Sequence, residues 1–235
     1  MSAPSPVDAA VLRTRAALAL AFVLGRYVPL PFLDDLVRER IARVVVTRAA
    51  TSLGHALEPS EAARLAANSD GCLGCLGAIL WAPLRLLFFP IAVLLNLRHA
   101  SRDLVEIFAL GRTIERVLED TRYPVAATAD ARLAYARDVR AAFDTARRGL
   151  DVQAVAGLLS VALGPIRKIA PAAFRMMRRV WHGDDDATAD ARADAPASRL
   201  AAALSDPRMR DLFAEIDRRF DAALLAERAK TTDAR

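Results

Sequence analysis

Cys72 and Cys75 form a C-x-x-C pair and are the only cysteines in the chain. On a thioredoxin-like fold such a pair is redox-active, and in a zinc site it fills two of four ligand positions. Neither context surrounds it. There is no βαβ pattern and no second cysteine pair, and His55 and His99 are single histidines far off in sequence. The pair reads as two small apolar residues at the head of a greasy segment, or as acceptors of reversible acylation, which favours cysteines beside membrane segments. Asp34 with Asp35 and Glu119 with Asp120 are carboxylate pairs of the kind acid and base chemistry uses, yet each has a simpler use as a helix cap or an exposed face. Asp184, Asp185 and Asp186 lie in a segment with nothing to fix ligand positions, so no metal is expected there. No G-x-S-x-G, glycine-rich phosphate loop or histidine cluster occurs. The expectation is a protein that is not an enzyme, with no catalytic residue and no cofactor.

The segment those cysteines open carries more information. From Leu73 to Leu95 only Arg85 is charged, and Pro83 and Pro90 interrupt the run. Thirteen of these residues are Leu, Ile, Val or Phe. At roughly −0.3 to −0.6 kcal/mol each they favour lipid by about 4–8 kcal/mol, against about 3 for a central arginine and further penalties for the prolines and glycines. The pieces Leu73 to Leu84 and Leu86 to Leu95 are each too short to cross a bilayer alone. A helical hairpin that dips into one leaflet and returns, bending near Pro83 or Pro90, keeps both flanks on the same side. Its expected lipid contacts are Leu73, Leu76, Leu80, Trp81 and Leu86 with Phe88, Phe89, Ile91 and Leu94. Arg85 reaches the interface or pairs inside the bundle. The competing expectation is a central hairpin buried in a larger helical domain, because a helix apolar on every side suits either setting.

A second greasy region, Val152 to Ile166, passes directly into a basic cluster of Arg167, Lys168, Arg175, Arg178 and Arg179 that ends at Trp181. Cations interleaved with apolar residues suit a helix lying in the head-group layer, each worth about 1 kcal/mol near an anionic surface. A core helix whose arginines snorkel to solvent accounts for the same pattern.

The net charge of +5 combines thirty-one arginines with two lysines, Lys168 and Lys230. That ratio fits a GC-rich bacterial genome, and many arginines have an acidic residue one helical turn away. Nucleic acid is not an expected partner, since the aromatic platforms of single-strand binders are absent. Arg13 and Arg15 precede a short apolar run, but no small-residue cleavage pattern follows, so the N-terminus is expected to stay in the cytoplasm.

These segments require helices to position them. Helical spacing runs over Val7 to Leu24, then from Asp34 or Asp35 to about Ser52 with Leu33, Leu36, Val37, Ile41, Val44 and Val45 on one face and Asp35, Arg38, Glu39 and Arg43 on an expected solvated side. Gly54 ends that helix, and a short one starts near Pro59. Arg98 to Arg122 and Asp130 to Arg148 follow, the latter stopped by Gly149. Residues 183–198 offer no apolar residue larger than alanine and read as a disordered linker. Asp206 and Pro207 then open an amphipathic helix whose stripe includes Leu212, Phe213, Ile216 and Phe220. It docks back on the body or binds a partner helix.

Tyr27 to Leu36, reading YVPLPFLDDL, with Arg38, Ile41, Arg43 and later Leu53-Gly54 in the helix that follows, resembles the proline-proline-aspartate opening of small bacterial membrane-associated helical domains. These include the EcsC-like proteins and domains that accompany some GTPases. The resemblance covers about residues 10–54 and implies a helical membrane module on the cytoplasmic face, without implying an activity. Together the readings give an all-α bundle: a membrane-associated domain at 1–182, an acidic linker at 183–198, and a C-terminal amphipathic helix at 199–235. The function expected is a non-enzymatic scaffold or adaptor on the cytoplasmic face of a bacterial inner membrane, with membrane lipids and a protein partner or second copy as its partners. The alternative is a cytoplasmic all-α protein that binds a lipid or other apolar ligand.

Overall fold

The computed structural model describes residues 15–16, 18–20, 22–23, 33–67, 89–119, 123–124, 127–152, 155, 157–159 and 191–233, and in 33–35, 89–99, 191–197 and 231–233 the description is of the backbone. The fold is all-α, and no strand occurs among the described residues. The principal helices are α1 (Leu33–Ser52), α2 (Pro59–Ala66), α3 (Phe89–Glu119), α4 (Ala129–Arg147), α5 (Ala191–Leu204) and α6 (Pro207–Asp233). Described residues within 15–23 and 155–159 are helical as well.

Local chemistry accounts for the helix ends. Gly54 and Gly149, at φ 76° and 70°, follow α1 and α4 in the left-handed region that glycine enters without a Cβ clash. Pro59 opens α2, and the Glu58 amide before it donates to Glu61 Oε2 at 3.1 Å. The Thr128 hydroxyl accepts from the Ala131 amide at the start of α4, and Asp206 Oδ1 accepts from the Arg208 amide at 2.9 Å at the start of α6.

Two expectations are corrected here. Pro90 does not break a helix: α3 begins at Phe89 and runs for 31 residues, so the apolar residues from Phe89 onward and the charged helix expected from Arg98 are one element. A proline in the first turn removes only an amide that would have no partner within the helix. Pro83, the other expected bend, lies outside the described residues. The second correction concerns residues 191–198, read as linker, which form the start of α5. Ala191, Ala193, Ala195 and Ala197 are the best helix formers, and burial of Leu200 and Leu204 further along supplies what they lack.

The chain divides into two compact units, each assembled from three stretches. One comprises Met1–Ile41, Cys72–Val105 and Val152–Arg210; the other comprises Ala42–Gly71, Glu106–Asp151 and Asp211–Arg235. The expected boundaries at 182 and 198 both fall within the third stretch of the first unit.

In the first unit Leu18, Phe22, Val23, Ile41, Leu104, Leu159, Leu200 and Met209 are buried. The apolar face of α1 differs from its expected composition. Val37 and Ile41 are buried, Leu36 is 48% exposed, and the expected solvated side includes Arg38, whose guanidinium lies 4.5 Å over the Phe22 ring and meets Asp103 Oδ1 at 3.2 Å.

In the second unit α2 packs on α4, and Val46, Leu65, Ile114, Val139, Phe143, Ile216 and Phe220 are buried. A Cβ added at Gly111 would sit 3.2 Å from Val45 Cγ1, so the absence of a side chain there sets the approach of α3 to α1. At the centre of this unit Asp144, only 1% exposed, accepts from two arginines. Arg140 grips it through two bonds of 3.2 and 2.7 Å, and Arg147 Nε adds a third at 2.9 Å. Arg140 also donates to the Leu65 carbonyl of α2, and Arg147 to Glu106 of α3, each at 3.2 Å. Removing a partner from such a buried set leaves a charge uncompensated. Asp144→Ala should therefore cost about 3–5 kcal/mol, measured by urea unfolding followed by circular dichroism. A loss below about 1 kcal/mol would show that the network carries no such weight.

Candidate functional site

Most of the expected membrane site lies outside the described residues: Leu73, Leu76, Leu80, Trp81, Arg85, Leu86 and Phe88, both cysteines, and the whole cluster from Arg167 to Trp181. Phe89, Ile91 and Leu94 fall in the first two turns of α3. From Phe89 to Leu97 this helix contains one polar residue, Asn96, before Arg98, His99 and Arg102. At ~1.5 Å per residue its apolar end is about 13 Å long. No helix among the described residues is long and apolar enough to cross a membrane.

Just beyond that apolar end, Ala100, Ser101 and Asp103 are buried in the first unit while Arg102 is exposed. Asp103 is held by Arg38, which is fixed in turn against Phe22. Arg102 makes no hydrogen bond or ion pair among the described residues. The ion pair joins residues 65 positions apart, a link with no local sequence signature.

Of the two placements expected for the terminal helix, its burial agrees with docking back on the chain itself. Ile216 and Phe220 are buried within the chain's own second unit, together with Leu224, while Leu212 and Phe213 are half-buried. Part of the stripe is therefore occupied within the chain. Arg112 and Arg116 on α3 reinforce this placement by pairing with Asp217, at 3.0 and 3.6 Å, and Arg116 also pairs with Asp221. Two cations one turn apart meet two acids one turn apart, a complementarity of i, i+4 spacing across helices.

The second unit also holds a group of buried polar side chains that sequence reading missed. Glu61 of α2 is 2% exposed and accepts from Arg132 Nε of α4 at 2.5 Å. Arg132 donates further to the Ala127 carbonyl at 3.1 Å. The Tyr123 ring meets Tyr135 edge-on at 5.7 Å. Its hydroxyl is buried near Glu61 without a hydrogen bond of standard geometry. Burial first, then the charge of Glu61, pushes the phenol far above its ordinary range. A Pro59 followed by Glu61, three residues after Glu58, marks the helix start in sequence, but nothing there pairs Glu61 with Arg132. The group lies in a packed helix contact and positions α2 on α4. No set of His, Cys, Asp or Glu suited to a metal ion occurs among the described residues.

The chain matches no protein-family model, no curated protein and no solved structure.

Tyr123 generates a pH prediction. Because its folded pKa is raised, the native chain keeps a proton that the unfolded chain releases near pH 10, so this contribution to stability is full below about pH 10 and falls as pH rises beyond it. Tyrosinate absorbance should show a late-titrating phenol that appears only as the helical signal collapses, and Tyr123→Phe should remove it. Complete titration of all three tyrosines near pH 10 with the helices intact would contradict the assignment.

Proposed function

We propose that this protein is a non-enzymatic helical scaffold or adaptor associated with a membrane, held from the cytoplasmic face of a bacterial inner membrane without crossing it. The observation that carries this reading is the composition of α3 along its length. It opens with a segment of about 13 Å that has no polar face apart from Asn96, and then becomes a charged, packed helix. One leaflet of hydrocarbon is about 15 Å deep, so the apolar end matches half a bilayer. The apolar sequence from Leu73 to Phe88 immediately before it supplies further surface of the same kind. The likeness of residues 10–54 to EcsC-like and GTPase-accompanying domains points to the same setting. A scaffold or adaptor role, through a protein partner or a second copy, follows from the lack of any motif for a reaction.

Flotation tests the reading. The full chain, mixed with phospholipid vesicles, should rise with them in a density gradient, and membranes from expressing cells should retain it through carbonate washing. Leu94→Asp should lower the floated fraction roughly 10- to 100-fold, as expected for an acid placed among lipid tails. A chain that stays in the supernatant after ultracentrifugation without detergent is instead a soluble helical protein, and the membrane reading fails.

A further inference from the structure

We propose that the turn of α3 just past its apolar end, carrying Arg98 and Arg102, is a contact surface selective for anionic phospholipid headgroups. The proposal rests on the membrane reading above and names the lipid that the site prefers. Four observations converge on this turn. The apolar end stops at Leu97, and Arg98 and Arg102 follow one helical turn apart. Leu97 to Arg102 spans about 7–8 Å of helix, close to the depth of roughly 5–7 Å that headgroups occupy outside the hydrocarbon. A helix end seated in one leaflet thus carries this pair through the phosphate layer.

The charge of Arg102 also has no ion-pair partner among the described residues, since Glu106, one turn further along α3, is held by Arg147 at 3.2 Å. The acid beside it in sequence, Asp103, points into the first unit and is taken by Arg38 at 3.2 Å. Arg102 itself is exposed and makes no ion pair among the described residues. Finally, the Arg38–Asp103 pair sets that turn of α1 against this turn of α3, and Leu36, two residues from Arg38, is 48% exposed. A large aliphatic side chain left in the open in the same unit as an exposed guanidinium is a combination that an interface between lipid tails and phosphates accommodates. The class of partner is a lipid phosphate and not a free anion, because the cations adjoin a segment whose composition calls for hydrocarbon.

Vesicle partitioning of the full chain tests this. Vesicles of phosphatidylcholine alone are compared with vesicles in which about a third of the lipid is phosphatidylglycerol, with attraction expected to fall as salt is raised. The wild-type chain should prefer the anionic vesicles. Replacing both cations, Arg98→Gln with Arg102→Gln, should cut binding to anionic vesicles about 25-fold, at about fivefold per cation, and leave binding to neutral vesicles unchanged. Arg102→Gln alone, at an exposed site with no effect expected on the thermal melt, should read about fivefold, and Arg102→Lys should restore the preference. Arg64→Gln with Arg148→Gln, which removes equal charge from two exposed positions of the second unit, should leave the preference in place. Equal wild-type binding to both vesicle types, an unchanged preference in the Arg98/Arg102 variant, or an equal loss in the Arg64/Arg148 variant would overturn the proposal while leaving membrane association standing. Failure to bind either vesicle type would defeat the membrane reading itself.

Discussion

Asp144 holds two guanidinium groups inside the second unit, and through them it ties α4 to the backbone of α2 and to Glu106 of α3. A carboxylate in that position has little choice of partners, since a buried charge without one costs several kcal/mol. The same constraint recurs at Glu61 with Arg132 and, in the first unit, at Asp103 with Arg38. These helices are rich in alanine, which buries little apolar area, and the buried acids with their arginines sit within a core that is otherwise aliphatic and aromatic.

The periodic signals in the sequence located most helices correctly because their causes are local. A capping threonine, a proline at a first position and a glycine at positive φ act within a turn, and α2, α4 and the start of α6 follow them. Burial was less legible. Leu36 belongs to an apolar stripe by type yet is exposed, whereas Arg38 was assigned to solvent and is packed on Phe22. The deciding partners, Phe22 and Asp103, come from other parts of the chain, and no window of sequence contains them both. The same reason hides Glu61 with Arg132, and hides the burial of Ile216 and Phe220 within their own molecule. Of the expected membrane site, the sequence gives the composition and α3 gives one helical end.

The two reversals in helix extent have different physical sources. In α5, alanine propensity together with the burial of Leu200 and Leu204 outweighs the interior Pro196 and the acidic, polar composition that suggested a linker. In α3, the position of Pro90 within the first turn matters more than its reputation as a breaker.

Pro90 has a solvation consequence as well. The first amides of any helix lack intrahelical acceptors, and in a medium without water each bare amide is costly to bury. An imide nitrogen carries no hydrogen, so a helix that opens Phe89-Pro90 takes one fewer naked donor into its surroundings than any other residue at that position would allow. Seen this way, the ring acts as a chemical stopper at the very end where the helix is greasiest.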